Sequence, residues 1–204
     1  MTTKERIEAE ALKLFSIHGY SGVSIRDIAG AVGIKESSIY KHYSGKEDIF
    51  KTIVSHYREK TEEIFQISPK TPTDYAQMSK EMLLAMMKMT FQTFAVDEFI
   101  SRCRKLFMIS SPGNEQIGNL YVQNFITEPI LFNSLVFEKL LATLQVKNDS
   151  NKEDNPGSAK VMAYQFYAPV FLILQEYDNG TIKMQEALLL IEKITLKFME
   201  VYEV

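Results

Sequence analysis

The twelve residues KESSIYKHYSGK, Lys35 to Lys46, set three lysines, a histidine, two tyrosines and three serines around a Ser-Gly break. A dry core rejects most of those groups. What they share is the capacity to donate hydrogen bonds to an acceptor-rich, negatively charged surface such as phosphate oxygens and base edges. Catalysis is poorly served by the same set. The three histidines, His18, His42 and His56, are far apart in the chain, and no metal-spaced His/Cys cluster occurs. Neither a phosphate loop nor a nucleophile with an evident base occurs. The chemistry on offer is recognition, no cofactor is implied, and an enzyme is the rival class.

The elements that must present these groups can be read from caps and periodicity. Thr2 with Glu5 forms a capping-box pattern, after which Ile7, Ala11, Leu14 and Phe15 follow at helical spacing up to a stop at Gly19. Ser24 can cap a second short helix with Asp27 in its first turn, its inner face being Ile25, Ile28, Ala29 and Val32. Gly33 interrupts, and a third helix is expected from about Lys35 to Tyr43. Ser44 and Glu47 suggest another capping box, opening a longer helix. Two short helices joined by a glycine-containing turn match the helix-turn-helix pattern, in which the second helix enters the DNA major groove. In that layout Lys35, Ser37 and Ser38 face base edges, while Tyr40, Lys41 and His42 suit phosphate oxygens. Lys46 sits beside free N–H groups at the next helix start, and Ser24 and Arg26 hold the equivalent place on the bracing helix. Glu36 either accepts from a cytosine amino group or points to solvent.

Charge distribution qualifies the overall balance. The chain has 204 residues and a net charge of −3, yet residues 1–60 carry ten Lys/Arg against eight Asp/Glu, and the remainder thirteen against eighteen. The first block also holds all three histidines. Apolar residues make up 46 % and charged residues 24 %, the proportions of a globular protein. The longest apolar run, Phe166 to Leu174, is too short for a membrane span, and MTTKERIEAE is too charged for a signal peptide. A lone Cys103, flanked by Arg102 and Arg104, excludes an internal disulfide and suits a reducing, cytoplasmic setting. Its neighbouring arginines keep a redox role open beside the plainer one of a packed helix residue.

The stretch RIEAEALKLFSIHGYSGVSIRDIAGAVGIKESSIYKHYSGKEDIF resembles the N-terminal domain of TetR-type bacterial repressors, with Phe15, Gly19, Ser24, Ile28, Ala29, Gly33, Tyr40, His42 and Lys46 as matching landmarks. The resemblance covers the first quarter of the chain. It implies an all-α homodimer that binds double-stranded operator DNA and releases it when a small-molecule effector binds. It also implies that Ser24, Arg26, Ser37, Ser38, Tyr40, His42 and Lys46 stand where the family touches DNA. Lys35 replaces a frequent capping Ser or Thr, Glu36 a basic or neutral residue, Ser37 a glycine and Tyr43 a core phenylalanine. Those departures leave the operator sequence open. The domains expected are 1–46, the helix-turn-helix, and 47–204, a helical ligand-binding and dimerisation domain whose first helix is the connector.

Beyond Gln66 the texture changes. A cap at Thr71 with Pro72 in the first turn opens a long helix, expected from Tyr75 to about Ala95. Further helices follow at Asp97 to Ile109, through IGNLYVQNFI, at Glu128 to Gln145, at Ala159 to Tyr177 and at Thr181 to Tyr202, with KNDSNKEDNPGS as a surface loop. Met82, Met86, Met89 and Phe94 recur at helical spacing, a pattern that fits either a helix core or an adaptable wall for an apolar ligand. Phe107, Phe125, Tyr164 and Phe171 are aromatic candidates for the remaining walls. Arg102 and Arg104 offer an acidic effector a partner or simply face solvent. Pro169, inside VMAYQFYAPVFLIL, either kinks the helix or fits its packing. Leu188, Ile191, Ile194 and Phe198 give the last helix a broad apolar face. A second copy could cover it in a four-helix bundle, or the same chain could.

Overall fold

The computed structural model describes residues 1–66, 71, 73–74, 78–148 and 156–202, and among them no strand occurs. The helices are α1 (Thr3–His18), α2 (Ile25–Val32), α3 (Glu36–Ile39), α4 (Lys46–Gln66), α5 (Lys80–Val96), α6 (Glu98–Ser110), α7 (Glu115–Val122), α8 (Glu128–Asn148), α9 (Pro156–Asp178) and α10 (Met184–Tyr202). Pro72 and Tyr75, where the long helix was expected to open, lie outside the described residues, as does most of the loop before α9. The cap itself is present: the Thr71 N–H and hydroxyl donate to Asp74 Oδ2 at 2.9 and 2.8 Å.

The chain forms two compact units, and they are not a sequential pair. The first comprises 1–64 together with 98–123; the second comprises 65–97 together with 124–204. α4 as far as Ile64 and the distant helices α6 and α7 complete the first unit.

Local rules account for the first unit's helices. Thr2 and Glu5 satisfy each other's N–H groups at the start of α1, and Ser24 and Asp27 do the same for α2. α2 ends on Gly33 at φ 77°, a left-handed conformation that a Cβ would strain. A Cβ on Gly22 would lie 2.4 Å from the His18 carbonyl oxygen, so the α1–α2 turn closes only on a glycine. The start of α4 departs from expectation: the Ser44 N–H donates to Asp48 Oδ2 at 2.8 Å, while Glu47 pairs outward with Lys51. Asp48 is one residue further round the helix and returns over the Ser-Gly turn.

Ile7, Phe15, Ile28, Ile39, Ile49 and Ile53 are fully buried in this unit. α6 packs along α1 and adds Ile100, Cys103, Leu106 and Phe107, also fully buried. Rings run through the interior in sequence: Phe15 to Tyr20 at 5.4 Å, Tyr20 to Phe50 at 5.1 Å, and Phe50 to Phe107 at 6.4 Å. Tyr57 meets Phe107 edge-on at 5.4 Å.

The second unit is built on α8 and α9. Phe137, Phe166 and Phe198 form a triangle with centroid separations of 5.0 to 5.5 Å, joined by Ile130, Met162 and Ala163. A second cluster packs Phe91 and Ala95 of α5 against Ile173, Leu174, Ala187 and Ile191. Pro169 lies within α9, and the Tyr167 hydroxyl two residues before it donates to the Phe125 carbonyl at 2.9 Å.

Candidate nucleic-acid interface

Two buried residues aim the hydrogen-bonding stretch. Ile39 is 0 % and Tyr43 2 % exposed, so α3 and the turn after it are pinned on one side. Residues between and around these anchors face out. Lys35, Glu36, Ser37, Tyr40, Lys41 and His42 are exposed, and Ser38 is half-buried. The regular α-helix is shorter than expected, Glu36–Ile39, yet the backbone bonds His42 N to Ile39 O at 2.9 Å and Tyr43 N to Ile39 O at 3.0 Å carry the coil onward. Lys35 takes the N-cap place with no side-chain cap, which leaves its ammonium out of the helix start.

Beneath the reader, α2 is held by bonds that the sequence did not reveal. An Arg6 guanidinium N–H donates to the Val32 carbonyl at 2.7 Å, satisfying the C-terminal end of α2 from α1. Lys4 Nζ lies 5.3 Å from the Tyr43 ring centroid. Only the tertiary fold joins those positions; no spacing rule links residue 6 to 32.

Ser24 is committed to its own helix. Its hydroxyl donates to Asp27 Oδ2 at 2.6 Å and accepts from the Asp27 N–H at 3.2 Å. The same side-chain and backbone hydrogen bonds from Ser24 hold the Asp27 carboxyl below the usual carboxylate range. Arg26, next to it, is exposed.

Lys46 is engaged within its own unit. Its ammonium donates to the carbonyls of Tyr20 and Val23, each at 2.8 Å, and sits 4.4 Å from the Tyr20 ring centroid. Desolvation by burial pushes its pKa down. Two of its three donors are thereby used to tie α4 to the α1–α2 turn. Tyr43, the position of the expected core phenylalanine, keeps a phenol that burial pushes up to about 12, with Glu8 and Asp48 adding to the shift. That hydroxyl has no hydrogen-bond partner in the interior.

Of the eight expected ligand-wall residues, Phe107 belongs to the first unit and the other seven to the second. Phe107 is interior to the first unit, against Phe50 and Tyr57. In the second unit Met86 and Phe125 are buried and Phe94 and Phe171 half-buried, while Met82, Met89 and Tyr164 are exposed. The reason is angular. Residues 82 and 89 are seven apart and share a helix face, and that face is the outer one.

Ile191 is 0 % and Phe198 8 % exposed because both pack within their own unit, with Leu188 and Ile194 against the same cluster as Ile191. Outward apolar residues lie one step round: Leu189 and Leu196 on α10, and Val161 and Leu172 on α9. Of the two flanking arginines, Arg104 is fully buried and Arg102 bonds Glu98 at 2.5 Å.

Residues 7–53 match the family described as bacterial regulatory proteins, tetR family. Among curated proteins, the biofilm operon icaADBC HTH-type negative transcriptional regulator IcaR of Staphylococcus epidermidis is 42 % identical over 53 residues. That alignment covers 26 % of this chain and 29 % of IcaR, so the likeness is confined to under a third of the relative's length. Over the whole length the similarity is one of fold. A solved chain from Mesorhizobium loti, described as a TetR-family transcriptional regulator, has a TM-score of 0.65 at 17 % identity, covering 98 % of this chain and 96 % of that one. The TetR-family regulator CifR, solved with a 26-base-pair double-strand operator DNA, has a TM-score of 0.60 at 17 % identity, covering 96 % of each chain.

Proposed function

We propose that this chain, whose residues 7–53 match the tetR family of bacterial regulatory proteins, is a DNA-binding transcriptional repressor. It binds a palindromic operator as a homodimer and is released by a small molecule. One observation carries the reading: Ile39 and Tyr43 anchor the reader while Lys35, Ser37, Tyr40, Lys41 and His42 project from it. Lys35, Ser37 and Ser38 face base edges, and Tyr40, Lys41, His42 and Arg26 face phosphates. Ser24 and Lys46 act behind them, holding α2 and α4 in position.

The dimer face is α9 with α10, presented through Val161, Leu172, Leu189 and Leu196, which are 46 to 63 % exposed. Exposed leucines and valine at that density are better covered by the same face of a second copy, giving an isologous four-helix bundle. Twofold pairing would set the two readers about 34 to 36 Å apart, one turn of DNA. No described helix is long and apolar enough to cross a membrane, and a cytoplasmic setting fits a DNA partner.

Selection of bound sequences from random duplex DNA tests the proposal. An enriched inverted repeat, bound by two chains, is expected. Binding with no enriched sequence, or none at moderate salt, would leave the fold as a scaffold that has kept the motif only for support.

A further inference from the structure

A cleft of about 440 Å³ opens in the first unit between α4 and α7. None of the eight residues expected to hold an apolar ligand lines it. Its walls are part polar and part apolar, and its charges are of one sign. Lys51 and Arg58 face it from α4, and Gln116, Asn119 and Gln123 face it from α7 and the turn that follows. Phe50, Val54 and Leu120 supply an apolar floor at least as large as the polar part of the lining. Carboxylates stand at the border and not in the lining: Glu47 pairs with Lys51 at 2.8 Å, and Glu59 accepts from Ser55 at 3.0 Å. Among the described residues no ion pair engages the Arg58 guanidinium.

Lys51 and Arg58 are seven residues apart, hence on one helix face and about 10 Å apart along its axis. A guanidinium is a planar fork that binds carboxylate or phosphate oxygens in pairs. Three amides beside it suit hydroxyls or carbonyls, and the volume lies in the range of small-molecule sites, roughly 300 to 1,000 Å³. We propose that this cleft binds a small hydrophilic organic anion, a polycarboxylate or a phosphorylated sugar, whose charged group bonds Arg58 and whose remainder reaches the amides of α7.

The inference deepens the regulator reading and rests on it for its consequence. The cleft lies on the same unit as the reader, and α4 is tied to the α1–α2 turn of that unit by the Lys46 ammonium. An anion there cancels positive charge that otherwise draws DNA, so operator affinity falls.

Calorimetric titration of the full chain with citrate, with glucose 6-phosphate and with neutral glucose tests the site without DNA. One of the two anions is expected to bind tighter than ~1 mM and glucose not to bind. Arg58→Gln should weaken the anion at least tenfold while the unfolding midpoint stays in place, and Lys51→Gln should weaken it less. Whichever anion binds identifies the source, carboxylate or phosphate. Absence of binding by both, or binding indifferent to Arg58→Gln, overturns the site. With selected operator DNA, the anion should lower affinity several-fold in the parent chain and not in Arg58→Gln. A chain that binds anion but no DNA would keep the site and refute the regulator, whereas DNA binding without anion binding does the reverse.

Discussion

The reader at α3 and the apolar helix α10 are both helical surfaces with one face in and one face out. They differ in how much the neighbouring residues reveal about which face is which. Around α3, polar groups outnumber apolar ones so heavily that Ile39 and Tyr43 are the natural anchors, and both are buried. Along α10, Leu188, Leu189, Leu190 and Ile191 are consecutive and equally apolar, yet Ile191 is fully buried and Leu189 is half exposed. A sparse apolar pattern fixes a helix's rotation; a saturated one does not. The same contrast separates the caps of α1 and α2, read correctly to the residue, from the methionine stripe of α5, of which only Met86 turns inward.

The sharpest way to test this contrast is to truncate buried rings that sequence alone offered as ligand walls. Phe107→Ala removes the ring on which Phe50 and Tyr57 converge and should cost about 3–5 kcal/mol in denaturant unfolding. A change under one kilocalorie would mean that Phe107 is not core.

On α10 the two faces should separate cleanly. Ile191→Ala is expected to destabilise the subunit by about 2–5 kcal/mol, whereas Leu189→Ala with Leu196→Ala leaves the subunit fold but shifts dimers toward monomers in sedimentation. Dissociation caused by Ile191→Ala at unchanged subunit stability would reinstate the face that periodicity suggested.

Within the reader, Lys46 and Tyr40 divide the work between holding and touching. Lys46→Ala loses two charge-assisted bonds to carbonyls and should lower stability by about 1–3 kcal/mol, leaving the salt dependence of DNA binding nearly unchanged. Tyr40→Ala should do the opposite, costing little stability and weakening binding to all sequences alike. A salt slope reduced by about one for Lys46→Ala would return that lysine to the phosphate contacts.

The smallest effect concerns Tyr43. Its phenol is raised by burial from 10.0 to about 12, so the folded state holds the proton more tightly than the unfolded chain. The associated stability is complete below pH 10 and is lost as pH rises from about 10 through about 12. Tyr43→Phe should remove this share of alkaline destabilisation and, by deleting a buried hydroxyl that lacks a partner, raise stability at neutral pH by about 1 kcal/mol. An unchanged alkaline limb in Tyr43→Phe would place the titration elsewhere.

The two residues at the α4 start show where legibility ends. Ser44 and Glu47 satisfy the capping-box spacing, but the turn brings Asp48 into place instead, because Ser-Gly lets the chain enter α4 one residue later. Lys46 looked like an anion ligand because nothing local competes for its ammonium. Its competitors, the Tyr20 and Val23 carbonyls, are more than twenty residues away in sequence.

The sequence by itself determined that the chain is helical, where α1 and α2 start and stop, and which stretch turns its donors outward. Those outcomes depend on contacts within four residues, which caps, glycines and period encode directly. Only the tertiary structure decided that α6 and α7 join the reader's unit, that the Lys46 ammonium meets the Tyr20 and Val23 carbonyls, and that one apolar side of α10 is interior. Each of those depends on which remote backbone or ring arrives alongside, and a uniformly apolar or uniformly donating stretch carries no local mark of its partner.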